Sequence, residues 1–196
     1  SFPDIVQRIV SSGEKNKRIS VRKVDKSRFA EEAALILDIF NDAWAENWGF
    51  VPFTAAEFHE LGRNLRFLVD SELIQIAEVD GEAAAFMVVI PNINEAIRDL
   101  RGRLFPTGWA KLLWRLKVRY PSTARVPLMG VRRRFQRTRI GPALAFLVID
   151  ACRPPTKRRG VREVELSWIL EDNAGMRSII ESIGGRPYKR YRVYER

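Results

Sequence analysis

Cysteine and histidine are almost missing from this 196-residue chain, which has one of each, Cys152 and His59. A single cysteine excludes an internal disulfide, and the expectation is a reducing, cytoplasmic setting. His59 stands mid-helix among polar neighbours, without partners of metal-ligand type, so no metal is expected. No apolar run approaches the ~20 residues needed to cross a bilayer. No charged start, apolar centre and small-residue cleavage site marks a secretion signal. Internal repeats and low-complexity segments are lacking as well. Acidic residues are scarce, with 24 Asp/Glu against 34 Lys/Arg and a net charge of +10. Between Glu95 and Arg139 there are thirteen Lys/Arg and two acids, about the whole imbalance. So local an excess points to a local anion site: a phosphorylated cofactor, a nucleic acid or a membrane surface.

What is present suffices for a core, since 46% of the residues are hydrophobic and the length suits one domain. Phe2–Val10 reads as a short amphipathic piece and Ser11–Arg18 as a linker, making residues 1–18 a leader to a domain at 19–196. Ile19–Val24 alternates like a strand. Asp25-Lys26-Ser27 offers caps for a helix from Arg28 to Glu46. An aromatic turn, Asn47–Phe53, follows. Thr54 with Glu57 forms a capping box for a helix ending near Phe67. Leu73–Val79 and Glu82–Ile90 read as strands joined at Asp80-Gly81, which favours a tight hairpin. Residues 95–125 form a basic insert holding an amphipathic stretch, Trp109–Tyr120. Then come a strand (Val126–Arg132), a helix (Gly141–Arg153), a strand (Glu163–Leu170), a helix (Asn173–Ile183) closed by Gly184-Gly185, and a last strand (Arg190–Glu195). This order predicts an α/β (α+β) chain. Its mixed, mostly antiparallel sheet is flanked by helices, with the insert between the third and fourth strands.

The most informative stretch is VRRRFQRTRIGPALAFLVID, residues 131–150. Five arginines and a glutamine end at Ile140-Gly141-Pro142, where an apolar helix begins. A donor-rich loop feeding a helix N-terminus is a way to hold phosphate. A solvated basic face is the plainer alternative. With the element order, this stretch resembles the GNAT acyltransferase superfamily, whose loop pattern is Arg/Gln-x-x-Gly-x-Gly/Ala. Gln136 fills the first place and Gly141 the last; Arg139 stands where the middle glycine belongs. SWILEDNAGMRSIIESIGG is a second match, through Asn173, Met176 and Gly184. Ile180, however, takes the place where the family often has a tyrosine that protonates the departing thiolate. NDAWAENWGFVPFT together with ELSWILEDN resembles uncharacterised bacterial GNAT-like proteins in which such a domain forms the C-terminal half of a longer chain.

The resemblance implies direct acyl transfer from acetyl-CoA or another acyl-CoA to an acceptor amine, either a small molecule or a peptide. It places coenzyme A against Met129, Val131, Gln136, Arg137, Thr138, Arg139, Ile140, Gly141 and Asn173, with the arginines at 132–134 adding positive field. The pantetheine arm would lie between Leu128–Val131 and Leu166–Ile169, and an N–H near Met129 or Gly130 would polarise the thioester. Glu171, Glu165 and Asp172 are the candidate bases, with capping of the following helix the plainer reading of Asp172, and Tyr191, or Tyr188, is the substitute acid. Trp44, Trp48 and Phe50, with Phe53, would line the acceptor side; aromatic staples of the core are the plainer reading. Two other classes stay open: a catalytically silent ligand- or partner-binding module, and a nucleic-acid binder, for which no recognised motif is present. The insert reads three ways. It covers a pocket edge, lies on an anionic membrane, or docks on an N-terminal domain or a second copy.

Overall fold

The computed structural model describes residues 2–65, 69–166, 168–192 and 194. Five strands form one sheet: β1 (Ile19–Lys23), β2 (Ile74–Val79), β3 (Glu82–Pro91), β4 (Thr123–Val131) and β5 (Glu163–Leu166). They lie side by side in chain order. The first three pairings are antiparallel and the last, β4 with β5, is parallel. Asp80 and Gly81 both take positive φ, 53° and 83°, as the tight β2–β3 turn requires.

Helices cover both faces. On one, α1 (Asp4–Lys15) and α7 (Gly141–Arg158) pack together over the sheet. On the other lie α2 (Phe29–Trp44) and α3 (Ala55–Leu65). Strand β3 serves both layers: Met87 and Val89 join the α7 core with Leu144 and Val148, while Phe86 and Val88 join the α2 core with Ile36 and Ile39. Alternation along a strand makes this possible. Each such buried side chain stabilises the fold by ~1.5–3 kcal/mol. The capping box forms as read: the Glu57 N–H donates to Thr54 Oγ1 and the Thr54 N–H to Glu57 Oε2, at 3.3 and 2.9 Å.

Several expected boundaries are corrected. The linker reading of Ser11–Arg18 fails because Ser11–Lys15 continue α1. Gly13 lies so close to Leu147 that a Cβ there would sit 2.9 Å from its Cδ1, which makes this stretch part of the core. Helix α7 runs through Pro154 and Pro155 to Arg158 rather than stopping at Arg153. Pro155 and Thr156 are buried, and the Thr156 hydroxyl donates to the Cys152 carbonyl at 2.6 Å. The helix starting near Arg28 begins instead at Phe29, after a 3-10 turn capped by Asp25. The fourth strand begins at Thr123 instead of Val126. The strand expected to reach Leu170 stops at Leu166, and Ser167 lies outside the described residues. Of the expected last strand, Arg190–Glu195, the described residues are not in a strand; Val193 and Glu195 lie outside them. The expected helix end near Phe67 also lies outside the described residues.

The insert folds as α4 (Ile93–Ile97) and α5 (Gly108–Lys117). Glu95 ties it to β4 by accepting the N–H groups of Ser122 and Thr123 at 2.8 and 3.0 Å. Among the described residues no helix is long and apolar enough to cross a membrane.

Candidate functional site

The sheet opens where β4 and β5 part. Their parallel register runs from Thr123↔Glu163 to Val126↔Leu166 and ends there, while β4 continues to Val131. On the other side, four residues of β4 (Arg125 to Leu128) span three of β3 (Ile90 to Val88), so β4 carries a bulge. Pro127, which cannot donate to a ladder, lies within it. Beyond the bulge, the Arg132 N–H bonds to the Ala84 carbonyl. Alternation therefore turns Gly130 toward β3 and turns Met129 and Val131 the other way, toward the opening. Of the two residues considered for polarising a thioester, only Met129 directs its N–H there. The protein's own donors fill the matching carbonyls: Trp44 Nε1 reaches Met129 O at 3.0 Å, and Gln136 Nε2 reaches Val131 O at 2.8 Å.

The loop after β4 winds into a short turn, α6 (Arg133–Gln136), and enters α7 at Gly141. Gln136 also donates to Ala43 O at 3.1 Å, bracing the loop between β4 and α2. Gly141 admits no side chain, since a Cβ would stand 2.4 Å from Phe135 O and 3.0 Å from Gln136 O. Arg139 needs no glycine: among the described non-glycine residues only Asp80 and Arg101 have positive φ. Thr138 and Gly141 use their N–H groups within the turn. Those of Arg139, Ile140 and Ala143 have no protein acceptor among the described residues, and they sit at the positive end of an 18-residue helix. Such a cradle suits a pyrophosphate.

The arginines divide into two sets. Arg132 pairs with Asp38 at 2.5 Å, Arg133 with Asp42 at 3.3 Å and Glu46 at 3.4 Å, and Arg134 with Glu82. These three clamp the loop to α2 and to the β2–β3 turn, so the positive field expected from 132–134 is largely neutralised by carboxylates. Arg137 reaches Glu46 only at 3.9 Å and is almost fully exposed. Arg139 is exposed with no carboxylate partner among the described residues. It is the loop's most available cation.

At the β5 edge, Arg125 and Glu165 stand opposite each other in register and pair through both guanidinium and carboxylate, with contacts of 2.9 Å. Arg125 holds the Glu165 carboxyl below its usual range, and a hydrogen bond from Tyr188 adds to this. The same bond to Glu165 raises the Tyr188 hydroxyl. Tyr191 stacks on Trp168 with ring centroids 6.3 Å apart. The structure thus gathers Glu165, Tyr188 and Tyr191 around Arg125, which feels both tyrosines electrostatically. Glu171 lies apart on an exposed turn; its backbone carbonyl accepts from Arg177, and its carboxylate has no partner among the described residues. Asn173 caps α8 (Ala174–Ser182), accepting the Met176 N–H at 3.0 Å. Ile180 closes that helix's own end, since its carbonyl accepts from Gly185 and its side chain leaves no room for a Cβ there.

The aromatic turn packs as a cluster. Phe40, Trp44 and Phe50 lie within 5.0–6.2 Å, and Phe53 joins them through Phe40 at 5.8 Å. Trp44 and Phe50 belong to the α2 core, whereas Trp48 is 72% exposed. Trp44 alone reaches the opening in β4, through its indole. Sequence reasoning missed that contact, the bulge and the Arg125–Glu165–Tyr188 cluster. Pro127 inside an alternating run was the one available signal for the bulge.

No family model matches the chain. It is 56% identical over 180 residues to Protein YghO of Escherichia coli strain K12, covering 92% of this chain and 46% of that protein. It is 46% identical over 195 residues to the bacterial ceramide synthase of Caulobacter vibrioides, covering 100% of this chain and 50% of that one. The chain therefore spans about half the length of the curated relatives it matches. Among solved structures, aminoglycoside N-acetyltransferase AAC(6')-Iy in complex with CoA superposes with a TM-score of 0.56 at 13% identity, over 91% of this chain and 94% of that one. A GCN5-related N-acetyltransferase from Sphaerobacter thermophilus gives 0.55 at 19% identity, over 86% and 41%. The fold is that of the GNAT acetyltransferases.

Proposed function

We propose that this chain is the acyl-CoA-binding part of an N-acyltransferase. The observation that carries the reading is the conjunction of the parted β4–β5 strands with the Gly141 cradle. The opening offers backbone donors to a pantetheine arm, and it leads to N–H groups fit for the pyrophosphate. Arg139 faces a phosphate from the position of the family's middle glycine, with Arg137 beside it.

In the reaction, the acceptor nitrogen forms a bond to the acyl carbon and the carbon–sulfur bond breaks. The Met129 N–H stabilises the carbonyl oxygen as negative charge develops on it. Glu171, whose carboxylate has no cationic partner among the described residues, takes the ammonium proton directly or through water. Glu165 is a weaker base because Arg125 favours its ionised form; its part is to hold Tyr188. Tyr191, on the same edge, supplies the proton to the leaving thiolate in place of the tyrosine that Ile180 displaces, and is reprotonated by the second proton that the nitrogen sheds as the amide forms.

A ceramide is the amide of a long-chain amino alcohol, so the name of the Caulobacter relative denotes an N-acylated product. At 46% identity over the whole chain, this supports a long-chain amino alcohol as the acceptor to test first. Titration calorimetry with CoA, acetyl-CoA and dephospho-CoA, followed by thiol release in the presence of such an amine, tests the proposal. Micromolar CoA binding weakened by loss of the 3′-phosphate is expected. Absence of binding at millimolar ligand favours a partner-binding module. CoA binding without thiol release for any amine favours a silent one.

A further inference from the structure

The insert leaves apolar side chains exposed, with no partner among the described residues. On α5 the inward side is narrow: Leu116 is buried, and Arg115 reaches back to the Ala96 carbonyl at 2.7 Å and to Asp99. The outward side carries Trp109, Leu113 and Trp114, each about half exposed, and Val118, 70% exposed. The preceding loop adds Leu104 and Phe105, the latter 82% exposed. Trp109 and Leu113, four residues apart, form one stripe, and Trp114 and Val118 form a second, about 140° further round the helix axis, with Ala110 and Lys117 between them. A soluble surface rarely gathers so much apolar area in one place without a partner.

The charges around this face specify the partner. Arg98, Arg101, Arg103, Lys117 and Arg119 are exposed and have no carboxylate partner among the described residues. The segment's two acids are both engaged, Glu95 with Ser122 and Thr123, Asp99 with Lys111 and Arg115. On the flank of α5, Arg119 and Arg162 open into a cleft of about 550 Å³ beside Tyr120. An apolar face rimmed by unpaired bases, with tryptophans at the boundary, is complementary to an anionic bilayer. Aromatic and aliphatic groups enter the acyl boundary and the bases meet headgroup phosphates.

We infer that the outward face of α5 and the loop before it dock this protein on an anionic membrane surface, with Leu104, Phe105, Trp109, Leu113, Trp114 and Val118 inserted. The inference rests on this surface and not on the acyl-transfer reading.

Vesicle flotation tests it, using phosphatidylcholine alone and phosphatidylcholine mixed with phosphatidylglycerol, with tryptophan emission followed in parallel. Expected are binding to the anionic vesicles only and a blue shift of emission. Trp109→Ser with Trp114→Ser removes two half-exposed side chains, so melting is unchanged while binding falls at least tenfold. Replacing Arg101, Arg103 and Lys117 by Gln weakens binding about a hundredfold, at roughly fivefold per base. The same loss of charge at Arg8, Lys15 and Lys17, on and just after α1, has a much smaller effect. CoA affinity is unchanged in all three variants. Absence of binding overturns the inference. So does binding indifferent to the tryptophans, an equal effect of the α1 substitutions, or duplex DNA bound as tightly at the same salt. A concentration-dependent dimer abolished by the tryptophan substitutions, without vesicle binding, assigns the face to a second copy instead.

Discussion

Gly141→Ala is the sharpest test of the phosphate cradle. The added methyl would stand 2.4 Å from the Phe135 carbonyl oxygen, about an ångström inside an ordinary non-bonded contact. That carbonyl cannot swing aside freely. It already accepts the Thr138 N–H at 2.9 Å, the Thr138 hydroxyl at 2.7 Å and the Arg137 N–H. Relief must come from moving the loop away from α7, which carries the Arg139 and Ile140 N–H groups out of line. Overpacking of this kind costs ~1–3 kcal/mol. In a domain of this size that is a fall in Tm of ~2–12 °C. The same displacement weakens CoA binding by roughly 5–150-fold, read by calorimetry beside differential scanning of the free protein. A variant that melts earlier but binds CoA with native affinity would show that the strain is real and the cofactor lies elsewhere. A variant unchanged in both refutes the packing argument itself.

Other outcomes follow from the charges and the burial. Arg139→Ala should weaken CoA binding by roughly 10–150-fold, the loss of a charge-assisted bond worth ~1.5–3 kcal/mol. Arg134→Ala, which removes a surface ion pair with Glu82 worth ~0–1 kcal/mol and a guanidinium contact with the Phe135 ring, should change CoA binding little; calorimetry on the pair checks the division of the arginines. The Glu165 pKa is lowered in the fold, so its pairing contributes stability above the ordinary carboxylate range, and that contribution is lost as pH falls through and below it. Glu165→Gln should therefore flatten the acid limb of Tm against pH, and an unaltered limb would count against the Arg125 pairing. Burial pushes the Cys152 thiol up to about 12, so a thiol reagent should label it only under denaturant, and rapid labelling of the native protein would contradict its place in the core.

The fold was legible where period and punctuation agree. Asp80-Gly81 marked the hairpin, Thr54 and Glu57 the start of α3, and Ile140-Gly141-Pro142 the start of α7. The errors came where tertiary contact overrides local preference. Ser11–Lys15 is polar in composition, yet Gly13 fits against Leu147, and no local pattern announces that. Pro154-Pro155 reads as a terminator, yet the helix persists because its last turns are buried. At the site, the loop motif exposed the cradle through Gly141. It did not reveal that Asp38 and Asp42 on a distant helix, with Glu46 just after it, would neutralise Arg132 and Arg133. Nor did spacing reveal that Arg125 and Glu165, 40 residues apart, stand in register across a parallel pair.

That clamp has a mechanical meaning. The acids that hold the loop project from α2 at 38 and 42 and from the turn just after it at 46, and the end of the helix sends the Trp44 indole into β4. Loop, helix end and strand opening are levers on one shaft. A ligand that tightened the loop would pull on the helix end carrying Trp44 and, through it, on the turn of Trp48 and Phe50, so the two ends of the cleft would be geared to each other rather than free to adjust separately.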